Sequence, residues 1–501
     1  MQRILAILEV SQKQAYIFSS KKLKDNAARS AEIGYVTSDA FFHKAAPSLY
    51  DGTQLVYAGG GHTVLQFPDW ETARQCMGQI TEAAMRQFPG MELFAKLMDY
   101  RDDLTPGDNL KELSRLLEEK KALRRSAFYG LPTGLERQSE TDFRPQRTKM
   151  PDTFADSLLP PAPAGYRFPD EFEVLTGNDN FLAVVHIDGN AMGTRVQKIY
   201  EAAGTDWDTC CRKLRAFSEA IQQDFEAAFS ETVETLLRSG MVEGEMLPIR
   251  PIILAGDDVC FVAAGSIALE CARIFLEHLT AKANAEDHLP YAACAGIALV
   301  HRKYPFHPAY DLSEALCSSA KKFGAGLDEQ GRLSVMDWHI EFGQLKNSLS
   351  ALRQDYATED GGRMELRPVL AVIPDTVSVD EETAAIRHYD WFRVLCQALQ
   401  QEKGNTARGK LKELRTAIQQ GVVETRYHLQ DKQISGLLEH AFHARYRDED
   451  ARWEKFRRMV QQGEAAERSA FWTDSDGVHR CLYFDAVELI DHWKPLEGGV
   501  I

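Results

Sequence analysis

The sequence predicts an α+β protein: two copies of one strand–helix–hairpin–helix–strand unit, followed by a helical C-terminal region. Three observations support this. The same order of elements occurs twice. Within each copy the apolar spacing alternates between the period of a strand and that of a helix. Beyond about Arg367, almost only helical spacing remains. Each unit describes an antiparallel sheet with helices packed on one face. Letter identity between the copies is low, so the repeat rests on order and hydrophobic pattern.

In the first copy, RILAILEVSQKQAYIF opens as a strand and RSAEIGYVTSDAFFHKA reads as a helix. TQLVYAGGGHTVLQF is a hairpin with its glycines at the turn. WETARQCMGQITEAAMRQF is a helix and MELFAKLMDYR a closing strand. In the second copy, NFLAVVHIDGNAMGTRV is a buried strand breaking at Gly189, followed by a long amphipathic helix around Trp207–Leu237. RPIILAGDDVCFVAAG is the hairpin and SIALECARIFLEHLTAKANA the next helix. YAACAGIALVHR is a strand, DLSEALCSSAKKFG a helix and GRLSVMDWHI a last strand.

Between the copies, LKELSRLLEEKKALRRSAF predicts a helix, and the Pro-rich RPQRTKMPDTFADSLLPPAPAGYRFPDEF a long surface connection. The expected division is a first unit over 1–101, the insert and connection over 102–175, a second unit over 176–345 and a mostly helical domain over 346–501.

The bulk numbers agree. A chain of 501 residues with 44% hydrophobic content can build about three folded units. No apolar run approaches the ~20 residues that cross a bilayer, and MQRILAILEV reads as a core strand better than as a signal peptide. The 9 Cys include no CxxC pair, which predicts reduced, buried thiols and a cytoplasmic protein. A formal net charge of −16 argues against a general nucleic-acid-binding surface, which needs clustered Lys and Arg, but permits a small basic nucleotide pocket.

The sharpest chemical signal is LAGDDVCF, with Asp257 and Asp258 at a hairpin tip between apolar strands. Unpaired charges among apolar strands cost several kcal/mol, roughly, and a divalent cation removes that cost. The alternative is a solvated turn. In VVHIDGN, strand alternation puts His186 and Asp188 on one side. If that strand lies beside the hairpin, Asp188 meets Asp257 and Asp258, and three carboxylates can hold metal against nucleotide phosphates. Gly189, Asn190 and Gly193 follow, where backbone can approach a triphosphate. His186 reads either as a metal ligand or as a core histidine. In CSSAKKFG, Lys321 and Lys322 offer ammonium groups to phosphates, or are solvated at a helix end.

These three signals, in this order, resemble the GGDEF and nucleotidyl-cyclase palm. More closely, they resemble the large palm-domain subunit of type III CRISPR effector complexes, a family with two palms whose second carries a GGDD hairpin and makes cyclic oligoadenylate from ATP. Here AGDD stands at Ala255–Asp258, and YAACAGIALVHRKYPFHPAYDLSEALCSSAKK resembles the stretch after that hairpin. EVSQKQAYIFSSKKLKDNAARS is similar to the family's opening strand and phosphate-facing loop, and GGGH at Gly59–His62 stands where the inactive palm has lost its acids. The resemblance covers about Met1–Gly343. It implies two ferredoxin-like palm (nucleotidyl cyclase) domains plus the helical C-terminal domain. The chain opens at the first palm, so the family's histidine–aspartate nuclease domain is expected to be absent. Cys residues often found between the palms are missing. Ala255 replaces the first Gly, a mild change at negative φ. His-Ile-Asp stands where the family pattern is Asp-Ile-Asp, which implies manganese over magnesium.

The resemblance implies a metal-dependent nucleotidyltransferase that makes a cyclic or linear oligonucleotide messenger from ATP or another nucleoside triphosphate in antiviral defence. Asp188, Asp257 and Asp258 would be catalytic and, with His186, would hold Mg2+ or Mn2+. Gly189, Asn190, Gly193, Gly256, Lys321 and Lys322 would bind nucleotide. A second nucleotide pocket would form in the first palm from Ser19, Ser20, Lys21, Gly59, Gly60 and Gly61. Only the second palm is expected to bind catalytic metal, with EVS of the first strand set against HID of the second. The implied partners are nucleoside triphosphates, other CRISPR or defence proteins and RNA, with no membrane. Two alternatives remain: a catalytically weak scaffold of a CRISPR ribonucleoprotein, docking partners through the C-terminal ARGKLKELR region, and a diguanylate cyclase relative using GTP.

Overall fold

The structure is a computed structural model that describes residues 3–20, 22–123, 157, 159–176, 180–343, 348–401, 405–432 and 470–496. Lys21, the segment FYGLPTGLERQS, most of the Pro-rich connection and the expected helix at QISGLLEHAFHARY lie outside the described residues.

Apolar alternation places four strands in the first sheet: β1 (Ile4–Ser11), β2 (Leu55–Gly59), β3 (His62–Phe67) and β4 (Glu92–Asp99), in the order β2-β3-β1-β4. All pairs are antiparallel. The second sheet holds β5 (Phe181–Gly189), β6 (Ile249–Ala255), β7 (Asp258–Ala264), β8 (Ala293–His301), β9 (Ser334–Glu341) and β10 (Val369–Val372), in the order β10-β9-β8-β5-β7-β6. Its β6-β7-β5-β8 portion repeats the first sheet strand for strand. The expected internal repeat is therefore a repeat of topology. The second copy continues through β9, parallel to β8 and reached by the crossover helix Phe306–Leu327, and ends on β10.

Helix start signals act where the sequence offers them. Asp69, Thr105 and Asp206 cap Trp70–Gln87, Pro106–Ala122 and Trp207–Arg238 by accepting from backbone N–H groups of the first turn. The helix expected over RSAEIGYVTSDAFFHKA divides into Leu23–Val36 and Asp39–Ala45, because Ser38 ends one and caps the next.

The two copies grip each other reciprocally. Helix Leu23–Val36 of the first packs on β6 of the second, and helix Trp207–Arg238 of the second packs on β2 of the first. The β5 residues Leu182 and Val184 enter one core with Ile4, Ala6 and Leu8 of β1, while Ala183, Val185 and Ile187 face the other core. Helix Phe306–Leu327 lies so close to β8 that a Cβ on Gly296 would stand 2.0 Å from the Ser313 carbonyl oxygen.

The C-terminal region supplies helices Glu381–Ile386, Tyr389–Gln401, Asn405–Gln420 and Val422–Asp431. The structure adds strands that were not expected there: β10, and a small ribbon of β11 (Phe471–Thr473) and β12 (His479–Cys481). A buried ion cluster joins this region to the second sheet. Arg367, fully buried, donates to Glu488 at 2.6 Å, lies 3.1 Å from Asp485 and covers the Trp338 ring of β9. All nine cysteines are buried and free. Among the described residues, no helix is long and apolar enough to cross a membrane.

Candidate functional site

The register of β5 against β7 pairs Asp188 directly with Asp258, and Asp257 stands beside them at the β6–β7 turn. Gly256 has φ 68° while Asp257 stays out of the left-handed region, as a two-residue hairpin turn with glycine first requires. Ala255 also keeps negative φ, so the replaced glycine costs nothing here. Gly189 N–H donates to the Asp257 carbonyl at 3.2 Å, and a Cβ on Gly189 would crowd Asp257 at 2.8 Å.

The electrostatics follow from three carboxylates facing one ammonium. Lys321 donates to Asp188 at 2.6 Å and to the Gly189 carbonyl at 2.9 Å. Asp257 has no such partner; burial and the nearby Asp188 charge push it up to about 6. Burial, then Asp188, push Asp258 up to about 7. Asp258 keeps 47% of its side chain open, yet its Oδ1 is sealed from water and receives no hydrogen bond. His186 Nδ1 is 3.6 Å from that oxygen, too far to donate.

His186 itself is buried, with Nδ1 3.4 Å from the Tyr310 hydroxyl, and burial holds its pKa below the usual histidine range. The ring thus sits behind Asp258. Lys322 is exposed. Asn190 donates from Nδ2 to the Leu333 carbonyl at 2.9 Å and fixes the loop after β5. That loop enters helix Met192–Ala203 through Ala191 at φ 58°, with no side-chain cap on the first turn. A Cβ on Gly193 would meet nothing within 4 Å.

An all-oxygen donor set fits magnesium or manganese. The sealed, unpartnered Asp258 Oδ1 is the atom a cation would satisfy, with Asp188 and Asp257 as the other candidate ligands. Among the described residues, however, no three His, Cys, Asp or Glu side chains are already gathered as a metal cage. Lys321 holds the Asp188 carboxylate instead.

Between the two copies lies a cavity of about 790 Å³, within the size range of ligand pockets. Its walls include Glu9, Ser11–Gln14 and Gly59–Gly61 from the first copy and Gln222, Leu254, Asp258 and Tyr310 from the second. Gly59, Gly60 and Gly61 thus line this cavity. Ser19 and Ser20 do not line the cavity. Ser19 donates to the Tyr16 carbonyl at 2.9 Å and Ser20 to Asp25 at 2.7 Å, so both hydroxyls serve the loop.

Sequence reasoning missed Gln12 and Lys13, and it misjudged the offset between the copies. Glu9 pairs with His62 as Asp188 pairs with Asp258. Val10 N–H donates to the Gly61 carbonyl as Gly189 N–H donates to that of Asp257. Glu9 thus matches Asp188, and the EVS-against-HID alignment is out by two residues. Gln12, at φ 52°, then falls on Ala191, and Lys13 on Met192. The available signal was where each apolar run ends: ILAIL closes on Glu9 and FLAVVHI on Asp188.

Residues 181–328 match the family model described as Cas10/Cmr2, second palm domain. No curated protein sequence matches the chain. Among solved structures, Csm1 of T. onnurineus is similar at 14% identity with a TM-score of 0.55, over 98% of this chain and 69% of that one. A Csm1–Csm4 cassette in complex with cA4 is similar at 14% identity and a TM-score of 0.54, covering 98% and 70%. An apo Csm1–Csm4 cassette aligns at 16% identity with a TM-score of 0.43, over 64% of this chain; there the chain spans about half, 53%, of its counterpart. At such identities the likeness establishes the fold.

Proposed function

We propose, for a chain whose residues 181–328 match the model of the Cas10/Cmr2 second palm domain, that it is a metal-dependent nucleotidyltransferase. It joins ATP, or another nucleoside triphosphate, into a cyclic or linear oligonucleotide messenger in antiviral defence. One observation carries this reading: Asp258, paired with Asp188 across adjacent strands, keeps a buried oxygen without a hydrogen-bond partner. Leaving a charged group so unsatisfied is costly unless a ligand completes it.

In the reaction, a ribose 3′ oxygen attacks the α-phosphorus of a second nucleotide, the new P–O bond forms and pyrophosphate leaves. Mg2+ or Mn2+, when bound at Asp188, Asp257 and Asp258, supplies charge neutralisation for the phosphates and lowers the pKa of the attacking hydroxyl. Lys321, once released from Asp188, reaches a phosphate as a point charge. The uncapped first turn of Met192–Ala203 directs N–H groups and the positive end of the helix dipole at the same anion. His186 packs behind Asp258. We further propose that the protein works in the cytoplasm beside other CRISPR proteins and RNA.

Purified protein incubated with each triphosphate and either metal, followed by mass spectrometry, tests the reading. A metal-dependent oligonucleotide is expected, and Asp257→Ala with Asp258→Ala should abolish it. Undiminished product from that double variant overturns the assignment. A second reading, a nucleotide-binding scaffold without turnover, draws on the Lys321–Asp188 pair, which occupies one of the three acids. Metal-dependent nucleotide binding without any product supports it.

A further inference from the structure

The matched backbones of the two copies allow a charge comparison at equivalent positions. In the second copy, three carboxylates face one lysine. In the first, Gly61 and His62 replace Asp257 and Asp258, which leaves Glu9 as the acid, and two lysines converge on it. Lys121 pairs with Glu9 at 2.7 Å and with Glu118 at 2.6 Å. Lys13 donates from Nζ to the Gly60 carbonyl on the hairpin tip. The first cluster is therefore balanced, two acids against two lysines, where the second keeps three carboxylates against one lysine.

Lys13 also fills the space a carboxylate would need. A Cβ on Gly61, the counterpart of Asp257, would stand 3.0 Å from Lys13 Cε and 3.3 Å from Nζ. A side chain at position 61 would require the end of Lys13 to shift. Among the described residues, Lys13 is the only lysine or arginine lining the interpalm cavity. The same cavity is lined by the Ser30 hydroxyl, the apolar surface of Ile33 and Ile253, and the carboxylates Glu9, Glu226 and Asp258.

We propose that Lys13 stands in for a metal ion in the first palm: its ammonium binds the phosphate chain of a nucleotide in the interpalm cavity, so this wall of the cleft takes its nucleotide without a divalent cation. The inference rests on the reading of the cleft as a nucleotide site and adds which group holds the phosphates on the metal-free side. The match of Lys13 to Met192 explains why the same fold can bind phosphate in two ways. One copy positions acids to recruit a cation, and the other has the cation built into the chain.

The test is calorimetric titration of the full chain with ATP, and separately with inorganic triphosphate, in EDTA. One equivalent of ATP should bind without metal, and inorganic triphosphate should compete for it. Lys13→Met should weaken that binding about tenfold, as loss of a charge-assisted contact does. Lys13→Arg should retain it. Lys13→Gln keeps a donor for the Gly60 carbonyl without the charge and should weaken binding as much as Met. No ATP binding by the unaltered protein in EDTA overturns the proposal, as does unchanged binding in Lys13→Met. A loss in Met that Gln restores would assign Lys13 to holding the turn, and also overturns it. Intact EDTA binding with no metal-dependent product would sink the polymerase reading and leave this one standing.

Discussion

His186 and His62 show how burial decides the work of a single side chain. Nδ1 of His186 lies 3.4 Å from the Tyr310 hydroxyl and 3.6 Å from Asp258 Oδ1, so its ring supports a candidate ligand by packing behind it. Removing such a group typically lowers metal affinity by about 10–100-fold. His186→Ala should therefore weaken Mg2+ and Mn2+ binding by the same factor, measured by competition with a fluorescent chelator. A loss confined to manganese would place the ring in the metal's own shell. His62 is governed by pH. Burial, then Lys13, lower its pKa to about 4. The unfolded chain protonates this site below about pH 6.5, while the folded chain resists until about 4. Its contribution to stability is complete above 6.5 and is lost as the pH falls through that interval. The loss is at most roughly 3 kcal/mol and smaller for the part of the ring that water reaches. His62→Gln should flatten the acid side of the stability curve, read from denaturant melts between pH 4 and 7. An unchanged slope would show that the ring takes up its proton as readily in the fold as in the unfolded chain.

One helix secures both hairpins at the element scale. On Trp207–Arg238, Ser218 donates to the Ala58 carbonyl at 2.7 Å, next to the glycine turn of the first copy. One helical turn later, Gln222 donates to the Leu254 carbonyl at 3.0 Å and accepts from Gly256 N–H at 2.6 Å, next to the acidic turn. Gln222→Ala leaves two backbone groups of that turn without their partner, and each lost bond is worth about 1 kcal/mol. We expect metal-dependent turnover to fall about tenfold, since misplaced catalytic groups cost at least that, while the melting temperature drops only a few degrees, roughly. Equal turnover in this variant would show that the Asp257–Asp258 turn holds itself. Much of this was legible beforehand. The hairpins, the long helix and the side of the strand that carries Asp188 follow from alternation and turn residues, while its place beside the AGDD turn was a condition that the strand order meets. The Gln12–Lys13 loop was not, because a left-handed glutamine carries no sequence mark and the serines downstream are the commoner phosphate signal. Nor was β10: four apolar residues after a proline do not announce which sheet they will join.

At the scale of the whole molecule, the C-terminal region is attached by buried charge as well as by apolar packing. Arg367 is enclosed with Glu488 and Asp485, and the Tyr356 hydroxyl donates to Glu488 at 2.9 Å. Removing one member of such a cluster strands the others and costs about 3–5 kcal/mol. Arg367→Met should thus lower the melting temperature by on the order of 10 °C. Adding Asp485→Asn and Glu488→Gln should recover most of it, because the stranded charges are then gone. A single variant as stable as the parent would show that the cluster contributes nothing. The reciprocal packing of the two copies has a further consequence. Had both walls of the cavity kept the same chemistry, a molecule lying across it could turn end for end without penalty. With Asp258 on one wall and the Lys13 ammonium on the other, the cleft has a head and a tail, and a molecule lying across it meets different chemistry at its two ends.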